Sequence, residues 1–182
     1  MSKCRFFWLI NFLWVSIIGT LLHFVFEWSG ENSFVGLFSP VNESIWEHMK
    51  LLFFPAAVLA LFLYPFFRRE YPAFLTCCSF AILSAMVMQT SIYYIYSGII
   101  GKDIPIVNIM LFYLCAALDS SILCALLKKR SKEGSLWGLA IFCGISICFF
   151  YFTKNPPDLG VFYDPLENIS SYIANSYHTI FI

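Results

Sequence analysis

The sequence predicts an all-α integral membrane protein, a bundle of five transmembrane helices with the N-terminus inside, the C-terminus outside and a short interfacial helix in an external tail. Three observations predict it. Hydrophobic residues make up 60% of the 182 and aromatic residues 20%, while charged residues are only 12%. A soluble domain is about half apolar and about a quarter charged, so the surplus must face lipid. The apolar residues gather in five runs, each near the roughly 20 residues that one helical crossing needs. Basic residues alternate between one set of connections and the other, as they do when crossings alternate in direction. Five short-looped crossings leave no room for a separate soluble domain, so residues 1–182 read as one polytopic domain whose partner is the lipid bilayer.

The first run, about 6–26, follows Lys3 and Arg5 as the core of a signal peptide would. It is too long for one and lacks a small-x-small cleavage site, so it is expected to stay as a helix. Further helices are expected over about 46–67, 73–96, 104–127 and 136–152, each bounded by charge, proline or glycine. Pro55 and Pro65 fall inside the second, where neighbouring helices can accommodate them. Lys3, Arg5, Arg68, Arg69, Lys128, Lys129, Arg130 and Lys132 lie on one side, Lys50, Lys102 and Lys154 on the other. Short loops rich in Lys and Arg stay in the cytoplasm, which places the N-terminus inside. The acidic residues Glu27, Glu31, Glu43, Glu47, Asp103, Asp158, Asp164 and Glu167 lie at or beyond the opposite ends.

The tail, 154–182, starts irregularly around Pro156 and Pro157. Leu166, Ile169 and Ile173 then keep a helical spacing, which suits a short helix lying at the interface. Asn168 to Ser170 matches a glycosylation sequon, a short and weak signal. The formal net charge is zero, and without a basic patch no nucleic-acid partner is expected. The cysteines at 4, 77, 78, 115, 124, 143 and 148 show no CxxC spacing and no companion histidine. They are expected as small core residues rather than disulfides or zinc ligands. Gly134 and Gly138 form a GxxxG at the start of the fifth helix, which permits close helix packing and gives a second copy of the chain one place to associate. No protein partner can be named from the sequence.

The most unusual stretch, HFVFEWSGENSFVGLFSPVNESIWEHMK, runs from His23 to Lys50. His23 and Glu27 are four apart and stack on one helix face, which Thr20 and Ser16 extend inward. Glu43 and Glu47 are likewise four apart, as are Ser44 and His48, whereas Glu47 and His48 diverge by about 100° and cannot share a focus without a bend. Consecutive antiparallel helices bring the end of the first level with the start of the second. His23, Glu27 and Glu47, with Glu43 or His48, could then converge. Imidazoles with carboxylates suit a divalent ion such as zinc, manganese or iron, with His23, Glu27, Glu43 and His48 as ligands and Glu47 as a general base toward metal-bound water. No HExxH or other metalloprotease signature is present. A plainer reading uses the same residues for structure. Ser39 with Pro40, Asn42, or Ser44 with Glu47 could each cap the second helix, and Glu47 could pair with Lys50 three residues on.

Asp119 falls near the middle of the fourth helix, where a charged side chain costs about 2.5 to 3.5 kcal/mol on insertion scales, so it should face the bundle. Asn108, Cys115 and Asp119 lie at offsets of about two and three whole turns and share that face. Gln89, Tyr93 and Tyr96 form a comparable stripe on the third helix. Together they could line a polar path for transport or proton relay; alternatively, a protonated Asp119 simply hydrogen-bonds Ser120, Ser121 or a neighbouring helix.

HFVFEWSG, followed by LFSPVNESIWEHMKLLFFP, resembles a family of small multi-pass bacterial membrane proteins of unknown function. YSGIIGKD and PPDLGVFYDP extend the resemblance over the whole chain. By matching positions it implies that His23, Glu27, Asn42, Glu43, Trp46, Glu47, His48 and Lys50 are motif residues, and that the protein resides in the cell membrane of a bacterium. It implies no activity, substrate or cofactor. Three classes of function follow from the residues: a membrane protein whose outward-facing His/Glu pocket binds a metal ion or polar ligand, with metal-assisted hydrolysis as its enzymatic form; a transporter or proton relay using Asp119; and a structural or assembly protein whose polar groups are consumed by caps and helix contacts.

Overall fold

The computed structural model describes residues 3–129 and 134–165. The described residues form five long α-helices, α1 (Lys3–Trp28), α2 (Ile45–Phe67), α3 (Phe74–Ile100), α4 (Pro105–Lys128) and α5 (Leu136–Lys154), with short 3-10 turns at Val35–Leu37 and Gly160–Phe162. Each is long and apolar enough to cross a membrane, and the described residues contain no strand. The expected tail helix through Leu166, Ile169 and Ile173, the sequon at Asn168, and the basic residues Arg130 and Lys132 lie outside the described residues.

The helix ends follow local chemistry. Ser44 caps α2, its hydroxyl accepting from the Glu47 amide at 3.3 Å, while the Asn42 side chain accepts from the Ser44 amide at 3.1 Å and shapes the turn just before it. α4 starts on Pro105 after an extended Ile104, as the steric demand of proline on its predecessor requires. α3 runs on to Ile100, past the expected end at 96, because neither Ser97 nor Gly98 breaks it; it stops at Gly101, whose φ of 76° is left-handed.

α1 packs on α2 and α4, and α3 packs on the same two, so the first four helices close a ring. α5 lies outside, against α3. Its seat is Gly138, where a Cβ would lie 2.2 Å from the Leu75 backbone carbon. The contact is fixed by hydrogen bonds from Thr76 Oγ1 to the Gly134 carbonyl (3.1 Å), from the Gly138 amide to Thr76 Oγ1 (3.2 Å) and from Ser135 Oγ to the Pro72 carbonyl (2.6 Å). The GxxxG face is therefore used within the chain, joining α5 to α3. Cysteines require one correction. Cys4 and Cys124, expected as unpaired core residues, form a disulfide between the start of α1 and the end of α4, with their Cα atoms 5.4 Å apart. Of the rest, Cys77, Cys78 and Cys115 are buried, as expected, and Cys143 and Cys148 lie exposed on α5.

Candidate functional site

At the end of the bundle where α1 finishes and α2 begins, the connecting segment is held by a buried cation. Lys50 is fully buried, and its ammonium donates to the Gly36 carbonyl (2.8 Å), the Ser39 carbonyl (3.3 Å) and Glu47 Oε2 (2.6 Å). Glu47, 2% exposed, also accepts from the Val41 amide (3.0 Å) and from the Thr153 hydroxyl on α5 (3.0 Å). Buried charges persist where partners satisfy them, and this pair satisfies itself while tying the loop, α2 and α5 together. Glu47, expected as a general base, is thus occupied on both oxygens and stands outside the group that the histidines form with Glu43.

The free polar groups lie opposite. His23 from the last turns of α1, Glu43 from the bend before α2 and His48 from the first turn of α2 each offer a ligand atom, all within 4.8 Å of one another. His48 Nε2 is 3.4 Å from Glu43 Oε2, and His23 Nε2 is 3.9 Å from Glu43 Oε1. The rings are 5.4 Å apart. His48 Nδ1 lies 3.0 Å from the Ser44 carbonyl. Because a carbonyl only accepts, Nδ1 donates there, which leaves Nε2 as the ring nitrogen that faces Glu43. His23 Nδ1 is buried with no hydrogen-bond partner.

The helix boundary explains which glutamate joins. Glu43 precedes the cap, so the helical period that would have aligned it with Glu47 does not apply, and the bend turns it toward the histidines while Glu47 turns to Lys50. Glu27 was expected in the group. It lies exposed, one turn beyond His23 at the end of α1, and outside the cluster. Asn42 and Lys50, expected in the pocket, serve the turn and the buried pair.

The group lines a cavity of about 280 Å³ between α1, the start of α2 and α4. Asp103 lines it too, a residue that sequence reasoning treated only as a topological marker. Its Oδ1 accepts from the Tyr96 hydroxyl and from Asn108 Nδ2, both at 2.8 Å, and Tyr96 also hydrogen-bonds Asn108 Oδ1. The YSGIIGKD stretch carried that signal, since Tyr96 and Asp103 bracket the short turn into α4. Behind the histidines a second space of about 20 Å³ is lined by Glu43, His48, Gln89, Tyr93 and Asn108. Such a volume holds about one water molecule, and the buried Gln89 Oε1 beside it has no partner. Tyr93 and Asn108 are therefore at the site.

Asp119 is not. It is 2% exposed, and its Oδ2 accepts from Asn11 Nδ2 at 2.6 Å, while the same amide also reaches Ser120 Oγ at 3.0 Å. Asn11 went unnoticed in the sequence, being a lone amide in an apolar run. Between Asn108 and Asp119 the buried positions of α4 are Leu111, Phe112, Cys115 and Ala116, so the polar stripe does not continue from the cavity to Asp119.

Five apolar spans around a His/Glu cluster define a multi-pass membrane protein with a polar group at one end of its helices. The chain belongs to the family of unknown function DUF6512, whose model matches residues 1–170. No curated protein and no solved structure matches it.

Proposed function

We propose that this chain is a divalent-metal-binding protein of the bacterial cell membrane, with His23, Glu43 and His48 as the protein ligands and the cavity as the open side of the ion. The alternation of basic loops supports an orientation with this end outside the cytoplasm. One observation carries the reading: three ligand atoms of metal-binding type gather within 4.8 Å of one another. Two others support it, since the His48 imidazole is already oriented through its other nitrogen and the neighbouring carboxylate of Glu47 is withheld by Lys50. Donor atoms of a tetrahedral ion bound at about 2.0 to 2.1 Å stand about 3.3 Å apart. His48 and Glu43 already stand at 3.4 Å, and His23 needs a small side-chain movement. Two imidazoles and one carboxylate suit zinc, manganese or iron(II) and leave positions for water or substrate, so metal-assisted hydrolysis is the chemistry such a centre would supply.

Elemental analysis of detergent-purified protein tests this. Near-stoichiometric transition metal is expected in the wild type, lost in the His23→Ala, His48→Ala double variant and retained in Glu27→Gln. Because the imidazoles must be neutral to bind, retention should weaken on acidification. A wild type that stays metal-free after loading, or a folded Glu27→Gln that loses metal as fully as the double variant, overturns the ligand set.

A further inference from the structure

The cavity has two unlike poles. At one stand His23, Glu43 and His48, with Asp103 and Asn108 across from them; the rest of its wall is largely apolar, built from Phe24, Leu51, Pro105, Ile109, Phe112 and Tyr113. Its floor is closed. Thr20 Oγ1 meets the Tyr113 hydroxyl at 3.0 Å, and Phe112 packs so tightly against α1 that a Cβ on Gly19 would lie 2.7 Å from its ring. Its side is not closed. Phe24, Ile109 and Tyr113 line the cavity and are also 42%, 53% and 38% exposed on the outer surface of α1 and α4, the surface that the exposed Leu21, Ile106 and Met110 continue. On helices of this length and composition that surface faces acyl chains, so the opening between α1 and α4 leads sideways into lipid.

We infer that the cavity admits a neutral single-chain amphiphile from the surrounding leaflet, its chain between Phe24 and Ile109 and a carbonyl or hydroxyl oxygen of its headgroup at the His23, Glu43 and His48 group. The inference deepens the metal reading and rests on it for the headgroup contact. Size sets the class: ligand sites for drug-sized molecules begin at about 300 Å³, and about 280 Å³ takes one chain segment with its head, not a two-chain lipid. Charge sets the head. Glu43 and Asp103 line the cavity and the Asp164 carboxylate accepts from the Glu43 amide at 3.3 Å, so the two positive charges of a divalent ion are already met by carboxylates; an added anion would leave an excess of negative charge in a low-dielectric pocket, whereas a neutral oxygen adds none.

The test reconstitutes the full chain in phosphatidylcholine vesicles with a monoacylglycerol that carries a photoactivatable diazirine on its acyl chain. Labelled peptides are mapped by mass spectrometry, and metal is measured in the same samples. Labelling is expected to concentrate on the segments holding Phe24, Ile109 and Phe112, above the remote lipid-facing Phe62 and Phe66. It should be lost in Ile109→Trp, which fills the mouth, and kept in Met110→Trp, which adds the same ring on the lipid face outside the cavity. Retained metal in Ile109→Trp shows that the variant is folded. Labelling of Phe24 and Ile109 no stronger than that of Phe62 and Phe66 overturns the inference, as does equal labelling by the corresponding fatty-acid anion. Bound metal with no concentrated labelling overturns the amphiphile and leaves the metal centre standing; concentrated labelling with no metal after loading supports the amphiphile cavity and overturns the metal reading.

Discussion

The seam between α1 and α4 is built differently at its two ends. At the end rich in basic residues it is pinned shut: the Cys4–Cys124 disulfide, Trp8 Nε1 donating to Ser121 Oγ at 2.9 Å, and Asn11 donating to Asp119 and Ser120. At the other end the same two helices are bridged by Thr20 and Tyr113 and then part around a cavity in which His23 Nδ1 has no partner. Polar groups within a membrane are costly and either lock helices together or serve a function. Within one helix pair the two ends differ in hydrogen-bond satisfaction: Asp119 is consumed by its neighbours, whereas the histidines and Glu43 keep ligand atoms facing one another.

The largest break in that contrast should come from Lys50, which shapes the open end without lining it. Lys50→Met keeps the apolar stem but leaves Glu47 buried without its cation and the Gly36 and Ser39 carbonyls without a donor. Removing one partner of a buried pair costs about 3 to 5 kcal/mol, so thermal unfolding in detergent should shift strongly downward. Adding Glu47→Gln should recover part of the loss, because it removes the stranded charge. A Lys50→Met protein as stable as the wild type would show that the loop is held by something other than this pair.

A smaller effect is expected midway along the seam. Gly19 meets the Leu51 carbonyl and the Phe112 ring, where a Cβ would stand 2.5 and 2.7 Å from them. That carbonyl would ordinarily accept from the amide four residues on, but the residue there is Pro55, which has none. Gly19→Ala must therefore move α1 away from α2 and α4, at about 1 to 3 kcal/mol for overpacking. Since Phe112 floors the cavity and His23 lies one turn further along α1, metal retention should fall with stability. A variant that loses stability but binds metal as the wild type does would separate the floor from the ligand group.

The two ends also differ in how much the sequence revealed. Length and hydropathy act residue by residue, so all five spans were legible, and so were features confined to one turn: the Ser44 cap with Glu47, and the Glu47–Lys50 pair. The histidines were legible as candidates because they crowd a short connection. What escaped depended on approach through space. Asn11 and Asp119 are 108 residues apart and Cys4 and Cys124 are 120 apart, and neither pair leaves a local spacing. That Glu43, of the candidate glutamates, is the one beside the histidines turns on a single boundary: Glu43 stands before the cap, so its direction is set by the bend and not by the helical period. Asp103 was hidden for the opposite reason, since an acid in a short turn beside Tyr96 reads as ordinary solvent-facing charge until α4 folds back to place it across from the histidines.

Asp119 offers the smallest expected effect and the finest discrimination. Asp119→Asn preserves shape and an oxygen that can accept from Asn11, so a residue serving only to hold α1 to α4 should tolerate it within about 1 kcal/mol, the net worth of one ordinary hydrogen bond. Asp119→Leu leaves the Asn11 amide without that acceptor and should cost about 1 to 3 kcal/mol. Neither should change metal content, because Leu111, Phe112, Cys115 and Ala116 separate Asp119 from the cavity. Thermal unfolding with elemental analysis on the two variants reads both expectations at once. If Asp119→Asn instead abolished metal loading while leaving unfolding unchanged, the carboxylate would be coupled to the open end, and the closed half of the seam would have to be counted as part of the site.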